Sequence, residues 1–183
     1  MRILGIDPGS VICGYGVIDV EGSKLSVVEY GVVHAKRRST TFAQRLNEIH
    51  ERLHAVLTRS HPDECAIEKV FYAKNVKSIV QLSHARGVAM LACAQLGLEP
   101  HEYTPMQVKR SVTGRGAANK DQVGAMVQAM LKIEETPEFH DVTDALAVAI
   151  CHAVNGSAPT PVITKRTNRR KDWTAFVKSQ GKG

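Results

Sequence analysis

The expected fold is decided by the stretch Arg2-Ile3-Leu4-Gly5-Ile6-Asp7-Pro8-Gly9-Ser10. Its apolar run predicts a short buried β-strand, and the proline and glycine after Asp7 predict a turn. Asp7 therefore ends a strand whose preceding residues are apolar, whereas polar residues usually precede a surface acid. Because half-burying a carboxylate is costly, this position favours a functional site, although an ordinary turn acid is the alternative.

Outward from this strand, the pattern alternates between strands and helices. β-branched residues dominate 14–20 and 24–35, and the turn at 21–23 predicts a three-stranded antiparallel meander with the first strand. A buried strand over 65–68 and an edge strand over 99–103 follow. Helices are predicted from the spacing of apolar residues over 42–56, 74–96, 120–131 and 141–154. The sequence therefore predicts an α/β fold, with a mixed five-stranded sheet flanked by helices.

Two local signals refine the predicted helices. Thr41 with Gln44, and Asn119 with Gln122, have the three-residue spacing of capping boxes, so they mark helix N-termini. The helix over 74–96 is almost continuously apolar from 88 to 94. Such a helix needs a cover, which the sheet, a second helix or a subunit partner could supply.

The charge of the chain is concentrated at its C-terminal end. Residues 157–183 contain seven basic residues and one acid, whereas 1–156 contain equal numbers of each, so the tail accounts for the whole net charge of +6. We expect a folded domain over 1–155 and a basic, flexible tail over 156–183. The tail could bind phosphates, or it could only keep the chain soluble.

Composition also limits the class of protein. The 183 residues suit about one domain. No apolar stretch approaches the roughly 18 residues of a membrane helix, and Asp7 interrupts the first apolar run too early for a signal peptide. The four cysteines lack zinc-type spacing and suit small buried hydrophobes in a reducing compartment. We therefore expect a cytoplasmic protein without membrane contact.

Three further acids, like Asp7, stand at the end of a predicted strand or at the start of a predicted helix. Glu68 ends the predicted strand over 65–68, and Asp141 and Asp144 are three residues apart at the start of the last helix, on one face. Each has an ordinary explanation when taken alone, as a turn acid, a cap or a solvated helix acid. If all four converge, their repulsion requires protons or a cation. Oxygen ligands favour Mg²⁺ or Mn²⁺, and two such ions can catalyse phosphodiester hydrolysis.

At this point the chain resembles a known family. Its motifs match, in order and spacing, those of the RuvC-type Holliday-junction resolvases: Ile3–Ser10 with Gly14–Gly16, Ile67–Asn75, Ala85–Val88, Gln107–Lys109, Gly114–Lys120 and Asp141–Ala147. The resemblance implies a ribonuclease H-like nuclease domain over 1–155 and a homodimer. It further implies Mg²⁺-dependent cutting of four-way DNA junctions by two symmetric nicks, with the branch-migration proteins RuvA and RuvB as partners.

The resemblance also implies roles for individual residues. It assigns Asp7, Glu68, Asp141 and Asp144 as the catalytic acids that hold two Mg²⁺ ions, for which Mn²⁺ is a possible substitute. Some members have a histidine as the third ligand, but His140 comes one residue too early, so we assign Asp141.

Contacts with DNA are implied by the same resemblance. Phe71 would stack on bases near the junction centre, and Lys109 and Lys120 would contact the DNA backbone, together with Lys74 and Asn75. Stacking is worth about 1–3 kcal/mol per base, and lysines neutralise phosphates. Without the resemblance, a position in the core would be the preferred interpretation of Phe71.

Two other classes of protein compete with a nuclease. The stretch Asp7–Ser10 after a strand also resembles the first phosphate motif of actin-like and sugar-kinase ATPases, which generally need two related domains. Tyr15 stands where a P-loop requires lysine, so a P-loop enzyme is disfavoured. The non-enzymatic alternative is a junction-binding scaffold, in which four convergent acids would repel phosphates unless a metal were bound.

Overall fold

Alternating strands and helices build the fold, as described by a computed structural model for residues 1–35, 41–69, 75–134 and 140–156. The strands in these ranges are β1 (Arg2–Asp7), β2 (Ile12–Glu21), β3 (Lys24–His34), β4 (Glu64–Glu68) and β5 (His101–Tyr103). The helices are α1 (Phe42–Ser60), α2 (Val76–Ala94), α3 (Pro105–Thr113), α4 (Lys120–Leu131) and α5 (His140–Asn155).

The strands form one mixed sheet in the order β3-β2-β1-β4-β5. The predicted antiparallel meander is confirmed, because β2 pairs antiparallel with both β1 and β3. β4 runs parallel to β1, and β5 runs parallel to β4 at the edge of the sheet. Ile6 pairs with Ile67, so the next residues of these strands, Asp7 and Glu68, end the two strands side by side.

Successive side chains of β1 point to opposite faces of the sheet, and each face packs against its own apolar layer. Leu4 and Ile6 belong to the cluster that includes buried residues of α1 and α2. Ile3 belongs to the cluster that includes buried residues of α3, α4 and α5. Because successive side chains point to opposite faces, Gly5 and Asp7 lie on the same face as Ile3, beneath α5. The sheet is therefore covered on both faces, and Asp7 faces the α5 layer.

Most predicted elements are confirmed, and one was missed. Capping boxes begin α1 at Thr41 and α4 at Asn119. α2 is shorter than the predicted 74–96, because Asn75 caps its N-terminus outside the helix. The missed helix is α3, although Thr104 forms a capping box with Gln107 and proline occupies its first turn. Those two signals could have located it.

Burial confirms one further expectation and answers an open question. All four cysteines are buried and unpaired. α1 supplies the cover that α2 needs on one side, since Ala85 and Ala89 of α2 belong to the same buried cluster as Leu53 of α1. None of the helices in the described ranges is long and apolar enough to cross a membrane.

Candidate active site

The candidate site lies where β1 and β4 end. Asp7 and Glu68 are the last residues of these two parallel strands, and both are half-buried. In open α/β sheets, ligands gather beyond the carboxyl ends of the strands. The strands themselves therefore place two carboxylates in a position suited to ligand binding.

The N-terminal end of α5 brings two more carboxylates to this edge. Asp141 lies in the first turn of α5, and Asp144 follows nearly one turn later. The helix approaches the sheet closely because glycines lie beneath it. A Cβ atom on Gly14 would lie 2.0 Å from the Asp141 carbonyl oxygen, and one on Gly5 would lie 2.2 Å from the Ala145 carbonyl oxygen. At these two positions there is therefore no space for a side chain between α5 and the strand.

The four carboxyl groups repel one another. Burial raises the pKa of Asp7 well above its ordinary value of 3.8, and repulsion from Glu68, Asp144 and Asp141 raises it further. Burial also raises the pKa of Glu68, with repulsion from Asp144 as the next cause. A hydrogen bond joins the Asp7 and Glu68 side chains; it raises the pKa of Asp7 and lowers that of Glu68. Burial, repulsion and this hydrogen bond therefore all favour the protonated form of Asp7 over its ionised form.

This donor set fits a hard divalent cation. It offers carboxylate oxygens, the ligands that Mg²⁺ and Mn²⁺ prefer. Burial and repulsion from the other acids both disfavour the ionised form of Asp7. A cation at this edge would favour that form instead. The residues that could hold it are Asp7, Glu68, Asp141 and Asp144.

Two of the predicted DNA-contacting lysines lie at the rim of the acid cluster. The Lys120 ammonium is 2.8 Å from a carboxylate oxygen of Asp144, and this hydrogen bond raises the pKa of Lys120. Lys109, on α3, lowers the pKa of Glu68 by its charge. The sequence analysis did not foresee the Lys120–Asp144 ion pair, because it joins residues of two different helices.

Two of the remaining candidate residues, Asn75 and His140, lie within the described ranges. The Asn75 side chain accepts a hydrogen bond from the Ser78 amide at 2.8 Å as the N-cap of α2, and it is exposed. His140 is the exposed first residue of α5. Phe71, Lys74 and the basic tail from residue 157 onward lie outside the described residues.

The fold and the acid cluster together define a metal-dependent nuclease of the ribonuclease H-like class. Residues 3–152 match the family described as crossover junction endodeoxyribonuclease RuvC. The chain therefore belongs to the RuvC family of crossover junction endodeoxyribonucleases. The predicted family, fold class and type of enzyme are confirmed by this match.

Individual relatives support this assignment. Proteins named crossover junction endodeoxyribonuclease RuvC from Alkaliphilus metalliredigens and Heliobacterium modesticaldum are 47% and 48% identical to this chain, over 85% and 84% of it and 94% of each relative. The structure of Thermus thermophilus RuvC in complex with a Holliday junction substrate has a TM-score of 0.80 and 32% identity, covering 85% of this chain and 94% of that one.

Proposed function

We propose that this chain resolves four-way DNA junctions by paired symmetric nicks, and so acts in recombination and DNA repair. The observation that carries the proposal is the meeting of Asp7, Glu68, Asp141 and Asp144 at one edge of the sheet. It is supported by the Thermus thermophilus relative, whose structure holds a Holliday junction substrate. A DNA substrate and four unpaired cysteines both favour a cytoplasmic location.

The four acids would hold two Mg²⁺ ions, with Mn²⁺ as a possible substitute. When bound, such ions polarise the scissile phosphate, activate a water molecule and stabilise the leaving oxygen. The contribution of the chain is to place four carboxylates on one side of the phosphate. A carboxylate must be ionised to act as a ligand, and the raised pKa of Asp7 favours its protonated form, so ion binding should depend on pH.

The basic residues near the cluster would allow a polyanion to approach. Lys120 balances Asp144 in the metal-free chain, and its side chain is 66% exposed, so it can turn from the carboxylate to a phosphate. Lys109 lies close enough to influence Glu68 and would contact the backbone on the other side. Phe71 would stack on bases near the junction centre, and Lys74 and Asn75 would contact the DNA, roles that rest on the family resemblance.

A homodimer would match the two symmetric nicks. α2 leaves several apolar side chains exposed beside its α1 contact, among them Val76 at 77%, Val80 at 47% and Leu91 at 52%. A second copy packed on this face would bury them and supply a second acid cluster. We expect Val80→Asp to shift the chain from dimer to monomer in light scattering. Met126→Asp, on the exposed part of α4, should leave the dimer intact; a dimer retained by both variants would exclude the α2 interface.

The domain division and the partners are further parts of the proposal. Residues 1–155 would form the nuclease domain, and 156–183 a basic arm that binds DNA. Truncation after Gly156 should flatten the salt dependence of junction binding, by about 0.9 in slope for each phosphate that the arm neutralises. An unchanged slope would exclude the arm. RuvA and RuvB would be the partners in branch migration, as family membership suggests.

The central experiment compares a synthetic four-way junction with a linear duplex of the same arm sequence, each in Mg²⁺ and in EDTA. We expect paired symmetric nicks in the junction alone, abolished by EDTA. Cutting of the duplex at the same rate would retain the nuclease but exclude selectivity for junctions. Tight junction binding without cutting in Mg²⁺ or Mn²⁺ would favour the scaffold instead.

A further inference from the structure

A second polar cluster lies at the opposite end of α5 from the acids. Glu64 begins β4, His101 begins β5, and His152 lies in the last turns of α5. One ligand atom from each side chain can be chosen so that all three atoms lie within 4.8 Å of one another. His152 is fully buried, whereas Glu64 and His101 are only half-buried. The cluster is therefore anchored in the core on one side and open to solvent on the other.

The orientation of His152 is fixed by a buried hydroxyl. Its Nδ1 atom is 2.7 Å from the Tyr103 hydroxyl, and its Nε2 atom is 2.5 Å from a carboxylate oxygen of Glu64. The rings of His101 and His152 lie 4.4 Å apart between centroids. Nε2 of His152 is therefore directed at the half-buried side of the cluster, where Glu64 and His101 meet.

This hydrogen-bond arrangement has two proton patterns that differ only in tautomer. In one, the Tyr103 hydroxyl donates to Nδ1 of His152, and Nε2–H donates to Glu64. In the other, Nδ1–H donates to the Tyr103 oxygen, and Nε2 presents a lone pair. A tyrosine hydroxyl can donate or accept, so Tyr103 suits both patterns. In the second pattern, however, the Nε2 lone pair faces the Glu64 carboxylate and needs a cation between them. An orienting partner on the second ring nitrogen is typical of metal-binding histidines.

We propose that Glu64, His101 and His152 bind one Zn²⁺ ion, with the fourth position open to water. Two imidazoles and a carboxylate form a donor set that zinc takes in proteins, whereas the oxygen-only cluster at the other end suits Mg²⁺. Bonds of about 2.0–2.2 Å in a tetrahedral site place ligand atoms roughly 3.3 Å apart. Glu64 and His101 can move to that spacing because their side chains are half-exposed, while His152 stays fixed by Tyr103.

The ion would link three elements that are far apart in the sequence. β4, β5 and α5 each contribute one ligand, so bound zinc would oppose separation of the helix from the sheet edge. Asp141 and His152 are eleven residues apart in α5, which corresponds to about 16 Å along the helix axis. The proposed role is therefore structural, and it does not depend on the proposed function of the acid cluster.

The test is a Zn²⁺ titration of the full chain by calorimetry in excess Mg²⁺, combined with thermal unfolding. We expect one Zn²⁺ per chain and a rise in Tm of about 5–10 °C when free Zn²⁺ exceeds Kd by about 100-fold. Glu64→Gln and His101→Gln should each abolish the tight binding and the rise in Tm. Neither variant removes a fully buried side chain, and both should keep the wild-type circular dichroism spectrum and a cooperative thermal transition in EDTA, which shows that they fold.

Two control variants address the rival sites. Asp7→Asn impairs the carboxylate cluster, and His54→Gln removes one member of the His50–His54 ring pair on α1, whose centroids are 5.9 Å apart. Both controls should keep the calorimetric Zn²⁺ site. Loss of the site in either control, or its retention in both Glu64→Gln and His101→Gln, would overturn the proposal. Absence of Zn²⁺ binding to the wild-type chain would overturn it as well.

Discussion

The two ends of α5 carry polar clusters of opposite character. At the N-terminal end, Asp141 and Asp144 meet the strand-end acids, and burial with mutual repulsion raises the pKa of Asp7. At the C-terminal end, buried His152 has a hydrogen-bond partner for each ring nitrogen. Between them, every residue of the helix from 145 to 151 is buried and apolar, so the two clusters are separated by core.

The two ends of α5 therefore differ in how their charges are balanced. The acid end has an excess of negative charge, and only Lys120 of the described residues forms an ion pair with one of the four carboxylates. Such a cluster costs folding free energy until a cation binds. At the histidine end, both ring nitrogens of buried His152 have partners, so this residue contributes to the fold without a ligand. Substitutions at the two ends should therefore affect different measurements.

The largest expected effect is on cutting. Asp7→Asn should lower the rate of junction cleavage by at least about 1,000-fold, or about 4 kcal/mol of transition-state stabilisation, because it removes a central ligand. Junction binding should persist, as measured by gel shift in Ca²⁺ or EDTA. Asp63→Asn is the matched control, since Asp63 is an exposed acid at the other end of the sheet. Substantial cleavage by Asp7→Asn would remove Asp7 from the site.

The next largest effect is expected on stability, at the close contact between Gly5 of β1 and the backbone of α5. Gly5→Ala should lower the free energy of unfolding by about 3 kcal/mol, because its Cβ atom meets the backbone of α5. Urea unfolding measures this change. Gly124→Ala is the control: its new Cβ would make only an ordinary 3.7 Å contact with Thr143, and alanine is favoured in a helix by about 0.5–1 kcal/mol. Equal stability of the two variants would contradict the close approach of α5.

A smaller effect is expected at the histidine end. Tyr103→Phe leaves a buried ring nitrogen of His152 without its partner, so unfolding in EDTA should become easier by about 2 kcal/mol. Junction cleavage in Mg²⁺ should be unchanged. Tyr30→Phe, on an exposed position of β3, serves as the control. A cleavage defect without a loss of stability would mean that the histidine cluster influences the acid cluster, which would contradict their independence.

The smallest effect is the pH dependence of stability at the acid end. The pKa of Asp7 is higher in the folded chain than in the unfolded one, so folding retains a proton that the unfolded chain releases above about pH 4. Stability in EDTA should therefore fall as the pH rises from there to the raised pKa, by about 1 kcal/mol per pH unit. Urea unfolding across this range should show a shallower slope in Asp7→Asn and in Mg²⁺. An identical slope in wild type and Asp7→Asn would assign the dependence to other groups.

Prediction from sequence succeeded where a signal was local. The capping boxes at Thr41 and Asn119 located two helix starts, and the apolar residues before Asp7 and Glu68 located two strand ends. α3 was missed despite its own capping box, because its nine residues bury only Val108 and Val112 and so lack a long periodic pattern.

Contacts between distant elements could not be predicted in this way. The Glu64–His152 pair joins residues 88 positions apart, and neither residue belongs to a recognisable motif. Lys120 was assigned to DNA, yet in the structure its ammonium contacts Asp144, a pairing that depends on how α4 and α5 pack. The glycines beneath α5 were visible as a motif, but their steric purpose appears only when the helix is in place.

By itself, the sequence determined most of the strands and helices, that two strands end in carboxylates, and to which family the chain belongs. Only the tertiary structure decided that α5 lies directly on Gly5 and Gly14, that burial and neighbouring acids raise the pKa of Asp7, and that Glu64, His101 and His152 meet. The physical reason is distance. Periodicity and capping act within a few residues of the chain, whereas pKa shifts and ligand sets depend on separations in space between elements that the sequence keeps far apart.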